Sequence, residues 1–111
     1  MYNLPKLSVV GAGPGDPELI TIKAVNTLKT ANVVLYDALI NRELLEYAPQ
    51  AEHIFVGKRK DKHRFSQDEI NELIVKYARE RGHVVRLKGG DPFIFGRGSE
   101  EINYASSKGL E

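Results

Sequence analysis

Cysteine is absent from this 111-residue sequence, which excludes disulfides, thiolate metal sites and thiol catalysis. Neither sign of charge dominates: 16 basic residues against 15 acidic ones leave a net charge of +1. A surface that coats nucleic acid over its whole extent is thereby excluded, and any site for an anion has to be local. No apolar run approaches the roughly 18–20 residues needed to cross a bilayer, and Met1–Lys6 has none of the features of a secretory signal. His53 precedes a strand-like run and His83 follows a turn, so neither has a metal partner at helical spacing. The expectation is a soluble, cytoplasmic protein with no metal, no membrane partner and no nucleic-acid partner.

The remaining composition, 41% apolar and 28% charged, is that of an ordinary globular domain, here a single one spanning residues 1–111. Short apolar runs alternate regularly with helical patterns. Leu7–Val10, Val33–Tyr36, His53–Val56 and Val84–Leu87 read as strands. Thr21 is placed to cap a helix with Ile22, Val25 and Leu28 on one face, unless Pro17 starts an earlier turn. Asn41 can cap a short helix through Leu44, Leu45 and Ala48, which Pro49 ends. The clearest helix starts at a capping box, Ser66 with Glu69. It continues through Ile70, Leu73, Ile74, Tyr77 and Ala78 to Gly82, a glycine stop. Ser99–Ser107 reads as the last helix. Strand–helix repeats of this kind predict an α/β fold with an open, mainly parallel sheet and helices on both faces.

In such sheets ligands collect at the carboxyl ends of the strands. Those ends carry GAGPGDP (Gly11–Pro17), Tyr36–Asp37, Gly57–Arg59 and GGDPFIFG (Gly89–Gly96). GAGPGD departs from a dinucleotide fingerprint, which wants a third glycine where Asp16 stands. Acidic Asp16 and Asp91 suit a neutral or cationic ligand better than a phosphate; the plain alternative is a tight strand-to-helix turn. In GGDPFIFGRG, Gly89 and Gly90 allow a flat molecule to approach the backbone. Asp91 before Pro92 is held extended, and Phe93, Ile94 and Phe95 form either an apolar wall or part of the core. Asp37, at the end of an apolar strand, is either a general base or a loop carboxylate paired with Lys58 or Arg59. The basic loop KRKDKHRF is either a solvated surface or a recognition element for a polyanion.

The blocks VVGAGPGDPELITIKA, VVLYDALI, FVGKR, SQDEIN and VVRLKGGDPFIFGRGSEE, in that order, resemble the tetrapyrrole (precorrin) methylase family, and within it the branch that methylates uroporphyrinogen III. The likeness runs from about Leu7 to Ala105. It implies S-adenosyl-L-methionine as cofactor, S-adenosyl-L-homocysteine as its product, and C-methylation of uroporphyrinogen III to precorrin-2, the branch point toward sirohaem and cobalamin. It also implies Pro14, Gly89, Gly90, Asp91 and Ile94 at the cofactor, Asp37 as proton acceptor, Lys58 as proton donor, and Arg59 on the carboxylate-rich substrate. The family builds two α/β lobes around a cleft and is usually homodimeric.

Ala38 stands where many members carry arginine, and Ser99 replaces a glycine common in the last block. SSKGLE ends where the family begins a fifth strand, beside the first, and then a second lobe. The sequence is therefore expected to be the amino-terminal lobe of a longer protein, lacking its last strand, with the edge of Leu7–Val10 bare. On this expectation it binds cofactor weakly and catalyses nothing alone; Leu110–Glu111 are either native or a vector-derived scar. Two rival readings keep the same sheet. One is a ribosomal-RNA ribose methylase, which needs a broader basic face; the other is a non-catalytic binding module.

Overall fold

A computed structural model of the chain describes residues 5–11, 20–37, 40, 42–56, 66–89 and 98–110. In chain order these form β1 (Lys6–Gly11), α1 (Ile22–Lys29), β2 (Val33–Tyr36), a 3-10 helix (Arg42–Tyr47), β3 (Glu52–Phe55), α2 (Gln67–Arg81), β4 (His83–Lys88) and α3 (Gly98–Ser107). The four strands lie in the order β1-β4-β2-β3, and every pairing is parallel. β4 is therefore interior, and all six of its residues are buried. β1 occupies one edge of the described sheet. None of the described helices is long and apolar enough to cross a membrane.

The strand pleat sorts side chains onto two faces, each with its own apolar cluster. Val34, Val85 and Leu87 pack with Ala24, Leu28, Leu44 and Leu45 under α1 and the 3-10 helix. Val33, Leu35 and Val84 pack with Ile70, Ile74, Ala78 and Ala105 under α2 and α3. Helices thus cover both faces, as the strand–helix alternation predicts.

Local chemistry explains the helix ends. Thr21 Oγ1 accepts from the Ala24 amide at 3.0 Å, and Ser66 forms a reciprocal capping box with Glu69, so orphan amides at both starts are satisfied. Gly82, at φ 110°, ends α2 in a conformation that a Cβ would strain. The Gln50 side-chain amide donates to the carbonyls of Leu28 and Lys29 at the end of α1 and of Ala31 just beyond it.

Four expectations need correction. Ile22 does not share the buried face of α1; it is 80% exposed, while Ala24 and Leu28 are buried. At 3.6 residues per turn Ile22 lies about 140° around the helix from the centre of the Ala24–Leu28 row, so the contact falls on the i, i+4 pair. The segment before Pro49 is a 3-10 helix rather than an α-helix, a form suited to one or two turns; its expected cap, Asn41, lies outside the described residues. The buried row of α2 is Ile70, Asn71, Ile74, Val75 and Ala78, with Leu73 and Tyr77 only packed against its margin. β3 also begins one residue earlier than expected, although the Val56 amide still donates to Tyr36 O at 2.9 Å.

At the amino ends of the strands, His83 joins three elements. Its Nε2 lies 2.8 Å from Ser8 Oγ on β1, and its Nδ1 lies 3.3 Å from Thr30 O just past α1. Its backbone amide donates to Asn32 Oδ1 at 2.9 Å, ahead of β2. Burial pushes the imidazole pKa below its ordinary 6.5, against the opposing pull of the Thr30 carbonyl, and the Lys6 charge adds to the lowering. The folded state therefore favours neutral His83. Its contribution to stability is complete above pH 6.5, the ordinary value, and is lost as pH falls through the lowered folded value. Urea midpoints at neutral and mildly acidic pH should differ less in His83→Gln than in the wild type. Equal acid sensitivity in the two proteins would assign that loss to other groups.

Candidate active site

Because every strand runs the same way, all four carboxyl ends open on one rim: Gly11, Tyr36–Asp37, Phe55–Val56 and Lys88–Gly89. β1 and β4 are neighbours in a register that pairs Gly11 with Lys88. The two glycine-rich segments thus leave from neighbouring strand ends, where Gly11 and Gly89 carry no side chain. β2 flanks β4 on its other side, pairing Tyr36 with Leu87, which brings Asp37 to the same place. The Tyr36 and Phe55 rings meet edge-to-face at a centroid distance of 5.5 Å and fix the neighbouring strand ends.

Of the residues singled out from sequence, Asp37 and Gly89 are thus brought to one rim. Pro14, Lys58, Arg59, Gly90, Asp91 and Ile94 lie outside the described residues, as does the basic loop. The cation described beside Asp37 belongs to neither of the residues considered for it: Arg86 Nη1, from the middle of β4, is 4.0 Å from Asp37 Oδ2.

Arg86 leads to a group of residues that sequence reasoning missed. Val84, Arg86 and Lys88 alternate with Val85 and Leu87, so both cations of β4 face α2 and α3. Both are paired with Glu101, which is fully buried in the first turn of α3. Arg86 Nε donates to Glu101 Oε2 at 3.1 Å, and Lys88 Nζ to Oε1 at 3.4 Å. The Gln67 amide, at the start of α2, donates to the same Oε2 at 3.2 Å and to Asn71 Oδ1 at 2.9 Å. Among the described residues no buried side-chain nitrogen or oxygen lacks a hydrogen-bond partner. A signal was present: two cations at i and i+2 in an otherwise apolar strand require a buried anion nearby, and Glu101 follows in the next helix.

Chemically, the rim combines a partly exposed carboxylate, backed by a fixed cation, with a pair of glycine-ended strands. Such a surface can receive a flat or positively charged ligand and accept a proton from it. Among the described residues no three His, Asp or Glu side chains gather as metal ligands.

Comparison with known proteins places these residues in a wider context. The sequence pattern of the Tetrapyrrole (Corrin/Porphyrin) Methylases matches residues 6–111. The uroporphyrinogen-III C-methyltransferase of Methanocaldococcus jannaschii is 64% identical over 98 residues, covering 87% of this chain and 40% of that protein. A siroheme synthase of Actinobacillus pleuropneumoniae is 51% identical over 108 residues, 96% of this chain and 22% of its own length. The crystal structure of a uroporphyrin-III C-methyl transferase from Thermus thermophilus, complexed with S-adenyl homocysteine, superimposes with a TM-score of 0.80 at 48% identity. That match covers 95% of this chain and 44% of the solved one. The chain thus spans less than half the length of the relatives it matches.

Proposed function

The chain belongs to the tetrapyrrole (corrin/porphyrin) methylase family, and on that footing we propose that it is the first of two lobes of an enzyme that C-methylates uroporphyrinogen III to precorrin-2. The observation that carries the reading is the shared rim, where Gly11, Asp37 and Gly89 stand at the ends of three adjacent strands. S-adenosyl-L-methionine supplies an electrophilic methyl group on a sulfonium. Pro14, Gly89, Gly90, Asp91 and Ile94 are the residues that would hold it, and backbone and carboxylate oxygens are the groups that would stabilise its positive sulfur. In-line displacement depends mainly on placement, which suits loops anchored on a rigid sheet.

Methyl transfer to a pyrrole carbon that already bears a side chain leaves a positive charge on the ring system, which the loss of a proton from another position of the macrocycle relieves. Asp37 accepts that proton, and Lys58 donates where a proton is returned. Arg59 and its basic neighbours meet the substrate's carboxylates. The product feeds sirohaem and cobalamin synthesis, and the complete protein is a cytoplasmic homodimer. The test is methyl transfer from labelled S-adenosyl-L-methionine to uroporphyrinogen III. Turnover is expected when a second lobe follows this chain and none from the 111 residues alone. Calorimetry on those residues should detect only weak S-adenosyl-L-homocysteine binding. Robust turnover by the isolated chain, or salt-sensitive RNA binding in place of methylation by the two-lobed protein, would overturn the reading.

A further inference from the structure

The segment GGDPFIFGR follows Lys88, the last residue of β4, and α3 begins at Gly98 beyond it. One carboxylate joins the two sides. Glu101 holds Lys88 through Oε1 and Arg86 through Oε2, so each of its oxygens is committed to a different cation. Gln67 adds a third bond from α2. Arg86 is in turn fixed at its far end, where Nη1 lies 3.4 Å from the carbonyls of Leu35 and Leu87 and 4.0 Å from Asp37 Oδ2.

A buried ionic group of this kind is poorly explained by stability, because well-packed apolar residues of similar volume often do as well or better. What it provides is direction. A guanidinium held at Nε by Glu101 presents Nη1 to Asp37 at a set angle, and a lysine held at the last position of β4 sets where the glycine loop departs. We propose that Glu101 is a positioning residue for methyl transfer, acting through Arg86 on the Asp37 carboxylate and through Lys88 on the base of the cofactor loop. The role rests on the function proposed above, since it takes Asp37 as the proton acceptor.

The test uses the two-lobed protein with this chain as its first lobe. Glu101→Gln keeps the side-chain shape and removes the charge. Its kcat is expected to fall by about 10–100-fold, the scale on which a displaced catalytic group is felt, while KM for substrate stays within about twofold. Arg86→Lys, which keeps the charge and loses the fork, should reproduce the fall and guards against a folding defect peculiar to the first variant. In an Asp37→Asn background, Glu101→Gln should cost little more, because the two act on one step. A merely structural role would cost the same factor in both backgrounds and would overturn the inference, as would an unchanged kcat in Glu101→Gln. If the wild-type two-lobed protein transfers no methyl group, the functional reading fails instead. A separate measurement then decides the geometry: in the 111-residue chain the Arg86 Nε–H resonance should be protected from exchange and lose that protection in Glu101→Gln. Unaltered protection would show that Glu101 does not hold the guanidinium.

Discussion

Glu101→Ala is expected to lower the unfolding free energy of the chain by about 3–5 kcal/mol, the range seen when one partner of a buried ionic group is removed. The substitution leaves the Arg86 and Lys88 side chains, 5% and 9% exposed, without the carboxylate they share. It also opens a void where a fully buried side chain stood. For a domain whose total stability is about 5–15 kcal/mol, that is a large share, and the urea midpoint should move far toward zero. A built-in comparison exists on the surface. Arg81 and Glu52 also meet at 3.1 Å, but their side chains are 51% and 43% exposed. Water already solvates both ends of that pair, and Glu52→Ala should cost no more than about 1 kcal/mol. Two ion pairs of equal length would then differ several-fold in consequence, for reasons of burial alone. A loss below about 1 kcal/mol in Glu101→Ala would show that solvent reaches the orphaned cations.

Asp37→Asn is expected to reduce methyl transfer by about 10²–10⁴-fold in the two-lobed protein, the usual contribution of a positioned acid or base. The amide has nearly the shape of the carboxylate and cannot take the proton that the methylated macrocycle must shed. S-adenosyl-L-homocysteine binding should be retained, since Asp37 is assigned to the substrate's proton and not to the cofactor. Single-turnover rates and calorimetry on one preparation separate the two effects. Loss of binding with an unchanged single-turnover rate would remove Asp37 from the chemistry and favour a part in ligand capture.

How far these residues were legible in the sequence follows from the range of the interactions. α2 could be read almost completely, because its signals are local: Ser66 and Glu69 are three residues apart, and Gly82 closes the helix. The strands were legible to within a residue or two, since apolar runs bounded by turn residues have few alternatives. Ile22 was misplaced because a short helix offers too few positions to fix the buried direction. That Arg86 stands near Asp37 was not legible at all. Lys58 and Arg59 lie nearer in sequence, but β4 inserts between β1 and β2, and that non-sequential order puts Arg86 beside Asp37. Glu101, 15 positions beyond Arg86, is separated from it by a loop whose path no periodicity determines.

The same strand order has a consequence for how the chain is made. β1 is synthesised first, yet its described neighbour is β4, and Ser8 and His83 touch across 75 positions of sequence. A nascent chain must therefore carry β1 without that partner while two other strands, two α-helices and the 3-10 helix emerge. Closing so long a loop comes late and slowly, so the side-by-side placement of Gly11 and Gly89 is expected to form late in the folding of these residues.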